Sequence, residues 1–525
     1  MTGSTGHSPS ADASHREVLR GAIFSMSSGA LVTLTSTVAY FVLSLLNRIV
    51  ILRLITVSQW GSITLALAAV SLLTIVAPLG VTASIARNLL YVPEERRAGI
   101  VKYGLIITLG ASALFSLLIY LLAPAVSSLM HEPGIDPLIR IFSPTVFLSQ
   151  VAATISSVFQ GYKKAVPSAL FNNTLPPILF TAIGALLYFT GMGYYGIVWG
   201  YLVSTIVVAL LAVVYAQRRA VLSYLGRQTT RESVFLVSFG LPLLLAGAFS
   251  YVFNYADTLF LGAFRNATSV GQYSAALSLG RMIFFGINAA SFILLPIASE
   301  LLSRSQTREL GDSYTTATKW NIVISMPLLY LFFFFPAGAL SAAFGPKYTE
   351  ASVMLQILSI GTFLASLLGP APIMLTALGK TRYVAMNGGI SAVGNVIASI
   401  ALIPPYGGVG AAIASVLGLL FYQGLSLLEM YKVSGLHPFR AEYAKPLAAS
   451  LIVPGLILAF LHPSLQFAGL VVVFICLALF SVFAVLGTGS VEQADVYLVE
   501  FAESILKRRL TFIRRVGSFF AARGR

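Results

Sequence analysis

The sequence predicts an all-α integral membrane protein of about fourteen transmembrane helices. It predicts two parallel-repeat six-helix lobes, spans 1–6 and 7–12, around a central cavity, with two extra helices at the C-terminus. Three observations lead there. Apolar residues make up 57% of the 525-residue chain and charged residues 10%, whereas a soluble domain carries roughly 25% charged residues. Apolar runs recur at the length a bilayer requires. A shift of about 210 residues lays the first half of the chain on the second. A chain this long could bury a core in water, but it has too few charges to cover the outside. It is also too apolar for disorder.

A span needs ~20 mostly apolar residues. Runs of that kind lie near 29–52, 60–80, 104–125, 141–160, 169–190, 196–216, 234–256, 270–296, 320–340, 354–376, 384–404, 407–431, 446–462 and 467–487. Residues 1–21 are polar, rich in Ser and Gly, and lack the apolar stretch of a cleavable signal. They are expected to form a disordered cytoplasmic tail. Residues 22–217 then make the N-terminal lobe, 218–233 a cytoplasmic linker, 234–432 the C-terminal lobe, and 446–487 helices 13 and 14. Segment 491–525 is basic and amphipathic, with Phe501, Ile505, Phe512 and Phe519 among Lys507, Arg508, Arg509, Arg514 and Arg515. That pattern suits the surface of an anionic leaflet, and a solvated basic tail accounts for it equally well.

The net charge of +15 raises nucleic-acid binding as a question. The basic residues, however, sit in short loops between apolar runs and form no aromatic-lined groove, so no nucleic-acid partner is expected. Loop charge instead sets orientation. With the N-terminus inside, 27 of the 33 basic residues fall in inside segments and only Arg140, Arg265 and Lys347 in outside loops. Dropping one span would invert every loop beyond it. Both termini are therefore expected in the cytoplasm, with the chain in the plasma membrane. Cys476 is the single cysteine. It excludes an internal disulfide or a paired-cysteine metal site, and it is expected to be a small buried residue.

Three short segments carry the repeat. SQWGSITLA (58–66) resembles SVGQYSAAL (269–277), GYKKAVPSALFN (161–172) resembles GKTRYVAMNGG (379–389), and YGIVWG (195–200) resembles YGGVGA (406–411). Six spans is an even number, so the two halves share one orientation and are related by an axis along the membrane normal. Repeats of this kind place a substrate site at the seam between lobes.

The stretch VSFGLPLLLAGAFSYVFNYADTLFLGAFRNATSVGQYSAALSLGRM (237–282) resembles the start of the second half of a polysaccharide flippase of the multidrug/oligosaccharidyl-lipid/polysaccharide exporter superfamily. AAFGPKYTEASVMLQILSIG (342–361), the run 376–416, LNRIVILRLITVSQWGSITLA (46–66) and VFQGYKKAVPSALFNN (158–173) extend the likeness over about residues 25–430. The resemblance implies two six-helix lobes around a cavity, alternating access, and export of a lipid-linked oligosaccharide on a polyprenyl or dolichyl phosphate or diphosphate carrier. A drug or metabolite antiporter and a peptidoglycan-precursor flippase are the alternatives within the superfamily, and a membrane glycosyltransferase is a distant one. The expected partners are the lipid-linked saccharide, membrane lipids and a coupling ion, H+ or Na+. A monomer is expected, because the cavity lies within one chain.

Charges inside spans are costly and usually face an interior or a watery cavity. Asp257, beside Asn254 and Tyr255 in NYAD, is the acid closest to a span core. It is expected to pair with an arginine or to couple an ion; a place at the outer interface is the simpler alternative. Arg48 and Arg53 in span 1 and Arg281 in span 8 are candidates for an anionic head group, which arginine grips with a planar fork. Arg53 could instead snorkel, and Arg281 could only neutralise Asp257. Arg87, Lys163, Lys164, Lys380 and Arg382 are candidates to receive a head group at the cytoplasmic face, though setting topology is the stronger role for each. Pro370 and Pro372 are the best hinge candidates among prolines that interrupt spans. No HExxH, Walker loop or membrane-face carboxylate pair is present, His131 and His462 are isolated, and no enzyme, cofactor or metal is expected. Asn266-Ala267-Thr268 is a glycosylation sequon by pattern alone.

Overall fold

The computed structural model describes residues 35–219, 232–439 and 467–487, with isolated positions around them. Both tails (1–21 and 491–525), most of the linker and most of the run near 446–462 lie outside the described residues. Every regular element among the described residues is helical. Among the described residues, ten helices are long and apolar enough to cross a bilayer.

The first half begins with α1 (Thr35–Leu54) and α2 (Val57–Val76). The turn between them is set by Thr56, whose side chain accepts from the Gln59 amide while Gln59 accepts from the Thr56 amide. This reciprocal cap satisfies two orphan donors at the start of α2. Then follow α3 (Val81–Asn88), α4 (Glu94–Leu129), α5 (Asp136–Phe142), α6 (Pro144–Gly161), the single turn α7 (Ala165–Ser168), α8 (Leu175–Leu187) and α9 (Gly193–Arg218). The second half holds α10 (Ser233–Phe264), α11 (Ala267–Gly280), α12 (Phe285–Ser303), α13 (Thr307–Phe334), α14 (Pro336–Phe344), α15 (Ser352–Leu367), α16 (Ala371–Ala377) and α17 (Thr381–Ser434). The last described helix is α18 (Phe467–Gly487).

Two helical stretches, Ala165–Arg218 and Thr381–Ser434, are 54 residues long. At 1.5 Å per residue each would measure ~80 Å, far beyond a bilayer of ~30 Å. Both turn back on themselves. In the first, a Cβ on Gly196 would strike Leu187 and one on Gly200 would strike Gly184. In the second, a Cβ on Gly410 would strike Leu402, the Asn395 side-chain amide donates to the Ala414 carbonyl at 3.2 Å, and that of Asn387 to Ser426 at 3.2 Å. Partners whose numbers sum to a near-constant value run antiparallel, so each stretch is a hairpin. The reversals fall at Gly193 (φ 54°, ψ −132°) and Gly407 (φ 56°, ψ −130°), a backbone conformation open almost only to glycine. The matching dihedrals pair Gly193 with Gly407 and expose a shared Gly-x-x-Gly, GYYG (193–196) against GGVG (407–410). The expected pairing of 195–200 with 406–411 is thereby corrected by three residues.

The halves meet along α2. A Cβ on Gly61 would collide with the Ala267 carbonyl, and one on Gly271 with the Val57 carbonyl. Under a shift of 210 these are one contact made twice, the mark of a two-fold relation between halves. Trp60 Nε1 donates to Ser274 Oγ at 2.7 Å across the same seam, and Tyr251 Oη donates to the Ala68 carbonyl. At the end rich in basic loops, Gly80 and Gly240 approach so closely that neither tolerates a side chain.

Three expectations shift in detail. Span 8 breaks into a 3-10 turn at Arg281–Phe284 between α11 and α12. Span 10 breaks at Gly369 (φ 74°) and Pro370 between α15 and α16. Cys476 is exposed on α18 rather than buried, because an apolar run reads alike whether it faces a core or lipid.

Candidate functional site

A cavity of about 510 Å³ lies between α1, α10, the α11–α12 break and the helices α15 to α17. Its walls are built from three chemistries. Phe41, Phe253, Phe284 and Tyr422 supply aromatic faces, and Asn254, Thr362, Ser415 and Gln423 supply neutral hydrogen-bonding groups. Arg281 supplies the one charge among the described lining residues. Its position follows from the helix break: the 3-10 turn beginning at Arg281 leaves the side chain exposed to the cavity, with a guanidinium N–H donating to the Asn254 carbonyl at 3.3 Å.

Arg48 approaches from the other half. It is partly buried on α1 and donates to Ser278 Oγ, one turn before Arg281. The two guanidiniums are close enough to repel one another, and Tyr255 and Tyr40 lie near Arg48 as well. Two like charges held together beside a cavity favour an anion between them. Arg48 and Arg281 thus approach from opposite halves, Arg281 on the cavity wall and Arg48 bonded to Ser278 just off it.

Asp257 lies behind the cavity wall, hydrogen-bonded to the lining residue Ser415. It is fully buried. One oxygen accepts from the Thr258 amide at 2.7 Å, and the other accepts from the hydroxyls of Tyr273 and Ser415. The expected arginine, Arg281, acts on the carboxylate through space rather than through a contact pair. No ion pair to Asp257 is formed among the described residues, and hydroxyls from α11 and α17 take that place. Neutral donors satisfy a buried carboxylate without bringing a second charge out of water. Asn254 lines the cavity and donates to the Ser250 carbonyl at 2.7 Å, while Tyr255 stacks on Tyr251 at 4.8 Å between ring centroids.

Arg53 is not at the cavity. It is exposed beyond it and donates to the Ala342 and Ala343 carbonyls at the C-terminal end of α14. Arg87 is exposed at the basic end, over the Phe239 ring at 5.3 Å. Lys163, Lys164, Lys380 and Arg382 are exposed in the loops before α7 and at the start of α17. Pro370 and Pro372 line the cavity beside the left-handed Gly369, so a true break in the helix stands at the expected hinge.

Sequence reasoning missed Tyr273, Ser415 and the aromatic lining. Part of the signal was present. The shift of 210 carries Asp257 onto Asn47 and Tyr273 onto Ile63. An acid and its hydroxyl partner therefore appear together in one half and in neither place in the other.

The sequence pattern of polysaccharide biosynthesis proteins matches residues 50–353, more than half of the chain. The chain belongs to the polysaccharide biosynthesis protein family. An uncharacterised membrane protein of Methanocaldococcus jannaschii is 24% identical over 283 residues, 52% of this chain and 55% of that protein. A probable low-salt glycan biosynthesis flippase of Haloferax volcanii is 21% identical over 318 residues, 60% of this chain and 66% of that one. The chain thus spans between half and two thirds of the curated relatives it matches. Among solved structures, the lipid II flippase MurJ in an inward closed conformation shares the fold with a TM-score of 0.68 at 14% identity, over 86% of this chain and 98% of that one. An inward-facing multidrug resistance transporter of the same superfamily reaches 0.62 at 15% identity, over 75% and 94%. The relatives and neighbours named here with a role are flippases and transporters. Family and fold together make this a multi-pass helical membrane protein of the polysaccharide biosynthesis type.

Proposed function

We propose that the protein is a flippase that carries a lipid-linked oligosaccharide across the plasma membrane by alternating access, with both termini cytoplasmic. The observation that carries this reading is the cavity. Arg281 projects into it from one half, and Arg48 stands beside it from the other. A phosphate or diphosphate head group is the anion for which two guanidinium forks are suited. The aromatic faces and neutral amides next to Arg281 suit sugar rings, which offer C–H faces and hydroxyls. A cationic drug would meet like charge there, which disfavours the antiporter alternative. The names of the Haloferax volcanii relatives, a glycan biosynthesis flippase and a probable flippase, lend support.

The two-lobe arrangement, with fourteen spans and the cytoplasmic linker at 218–233, belongs to this proposal. So does a coupling ion, H+ or Na+, for which buried Asp257 is the candidate residue. The test is complementation of a strain lacking its lipid-linked glycan flippase, scoring surface glycan against carrier trapped inside. Arg48→Ala and Arg281→Ala are expected to abolish export with normal membrane insertion, and lysine at either is expected to rescue only partly. Full export by both alanine variants would refute the clamp.

A further inference from the structure

At the end of the seam away from the basic loops, each half finishes helices that belong to the other. A helix leaves its first N–H and last C=O groups without partners. Here three such ends are satisfied across the seam by charged side chains. Glu132, from the first half, accepts from the Ala267 amide at 2.6 Å, at the start of α11. Arg53, also from the first half, donates to the Ala342 and Ala343 carbonyls in the last turn of α14. Lys347, from the second half, donates to the Arg53 carbonyl at 3.4 Å and to the Ile55 carbonyl, at the end of α1. In each case the sign is the one a helix end favours, negative at the N-terminus and positive at the C-terminus.

The geometry carries the repeat as well. Position 53 reaches 342; shifted by 210 these become 263 and 132, and Glu132 closes the matching corner through Ala267. Glu132 and Ala342 occupy equivalent positions, while their partners, Ala267 and Arg53, fall four residues, about one turn, apart under the shift. The joint lies just beyond the Gly61–Ala267 and Gly271–Val57 approaches. On α1 it stands about 18 Å along the helix from Phe41, which lines the cavity.

We infer that Arg53, Glu132 and Lys347 form an electrostatic clasp between the halves, and that opening the cavity at this end requires all three helix ends to be released. The clasp is reversible by its chemistry. Arg53 and Lys347 are exposed and Glu132 is half-buried, so water takes over the freed N–H and C=O groups when the halves part. The three residues set the balance between closed and open forms and touch no substrate. This assignment rests on the transport reading above, but its test does not need substrate.

The test uses the full-length protein in detergent, with Cys476→Ser and Ser274→Cys. Ser274 is buried in the seam beneath the clasp, so a soluble maleimide reaches that thiol only when the halves separate. Arg53→Ala, Glu132→Gln and Lys347→Ala are each expected to speed labelling about two- to fivefold, as a partly exposed charge at a helix end would. The effect of Glu132→Gln is expected to multiply, roughly, with that of either cation variant, whereas Lys347 bonds the Arg53 carbonyl and those two effects are expected to be coupled. Added salt is expected to speed labelling of the parent and not of the triple variant, since it screens the clasp. A second reporter, Ser157→Cys, sits buried in α6 away from the seam and is expected to stay protected throughout. An unchanged rate in the triple variant would overturn the clasp. So would an equal rise at the Ser157→Cys reporter, which would mean general loosening. Neither readout depends on glycan, so failed complementation with a faster Ser274→Cys rate would count against the transport reading alone.

Discussion

Replacing Gly61 by alanine tests whether the two halves are held by backbone contact. A Cβ there points straight at the Ala267 carbonyl oxygen and also comes within 3.0 Å of the Gly271 amide nitrogen. Neither obstacle is the end of a flexible side chain, so relief requires α2 and α11 to move apart. Overpacking of this kind costs typically 1–3 kcal/mol. The Trp60–Ser274 hydrogen bond, one residue from Gly61, is strained by the same displacement. Gly271→Ala should behave alike, because it meets the Val57 carbonyl in the repeated copy of the contact. Gly110→Ala is the control. Gly110 lies within α4 with open space around its missing Cβ, and alanine there should gain roughly 0.5–1 kcal/mol. Thermal melts of the purified protein in one detergent would rank the three. A Gly61→Ala variant as stable as its parent, beside a destabilised Gly271→Ala, would refute a two-fold seam.

Four further outcomes are expected. Gly193→Ala and Gly407→Ala should each cost about 1–3 kcal/mol, because both glycines combine a positive φ with ψ near −130°, a region essentially restricted to glycine; a melt unchanged by either would show that the reversal does not need glycine. Tyr273→Phe leaves the buried Asp257 carboxylate one donor short, and should lower stability by about 1–3 kcal/mol. Asp257→Asn should keep the fold by melt and lose export in the complementation assay, whereas full export would make Asp257 a purely structural group. Cys476 on α18 should react in native membranes with a lipid-permeable maleimide and resist a charged one, and equal reaction with both would place it in water rather than lipid.

Much of the fold was legible because a bilayer leaves few choices. An apolar run of the right length must be a span, and the low charge content left no other solvent. The repeat was legible where glycines mark it, at Gly61 and Gly271, since a close approach of backbones allows nothing larger. Side-chain direction was not legible. Arg48 and Arg53 lie on one apolar helix only five residues apart, which turns them about 140° from each other. Hydropathy gives no preferred face on a helix that is apolar all round. One arginine consequently stands beside the cavity, and the other reaches the carbonyls of α14. Asp257 drew attention as a charge in a span, but its partners could not be read. Tyr273 and Ser415 are 16 and 158 positions away, and nothing local marks either hydroxyl as its donor.

The two halves share a frame and divide the chemistry unequally. Under the shift, Arg48 falls on Thr258 and Arg281 on Ser71. The two arginines therefore do not occupy equivalent positions of the repeat. The buried polar site of the second half has a neutral counterpart in the first, where Asn47, the equivalent of Asp257, donates to Thr181 at 2.6 Å. A two-fold cavity would offer each group twice, on opposite walls. A phosphate joined to a glycan on one side and a lipid on the other has no two-fold symmetry, and a symmetric cavity would bind it equally well in two opposed poses. Placing the aromatic faces, Asn254, Gln423 and Arg281 in the second half, with Arg48 and Phe41 approaching from α1, removes that ambiguity. Duplication accounts for the contact repeated at Gly61 and Gly271, and divergence accounts for a cavity lined unequally by the two halves.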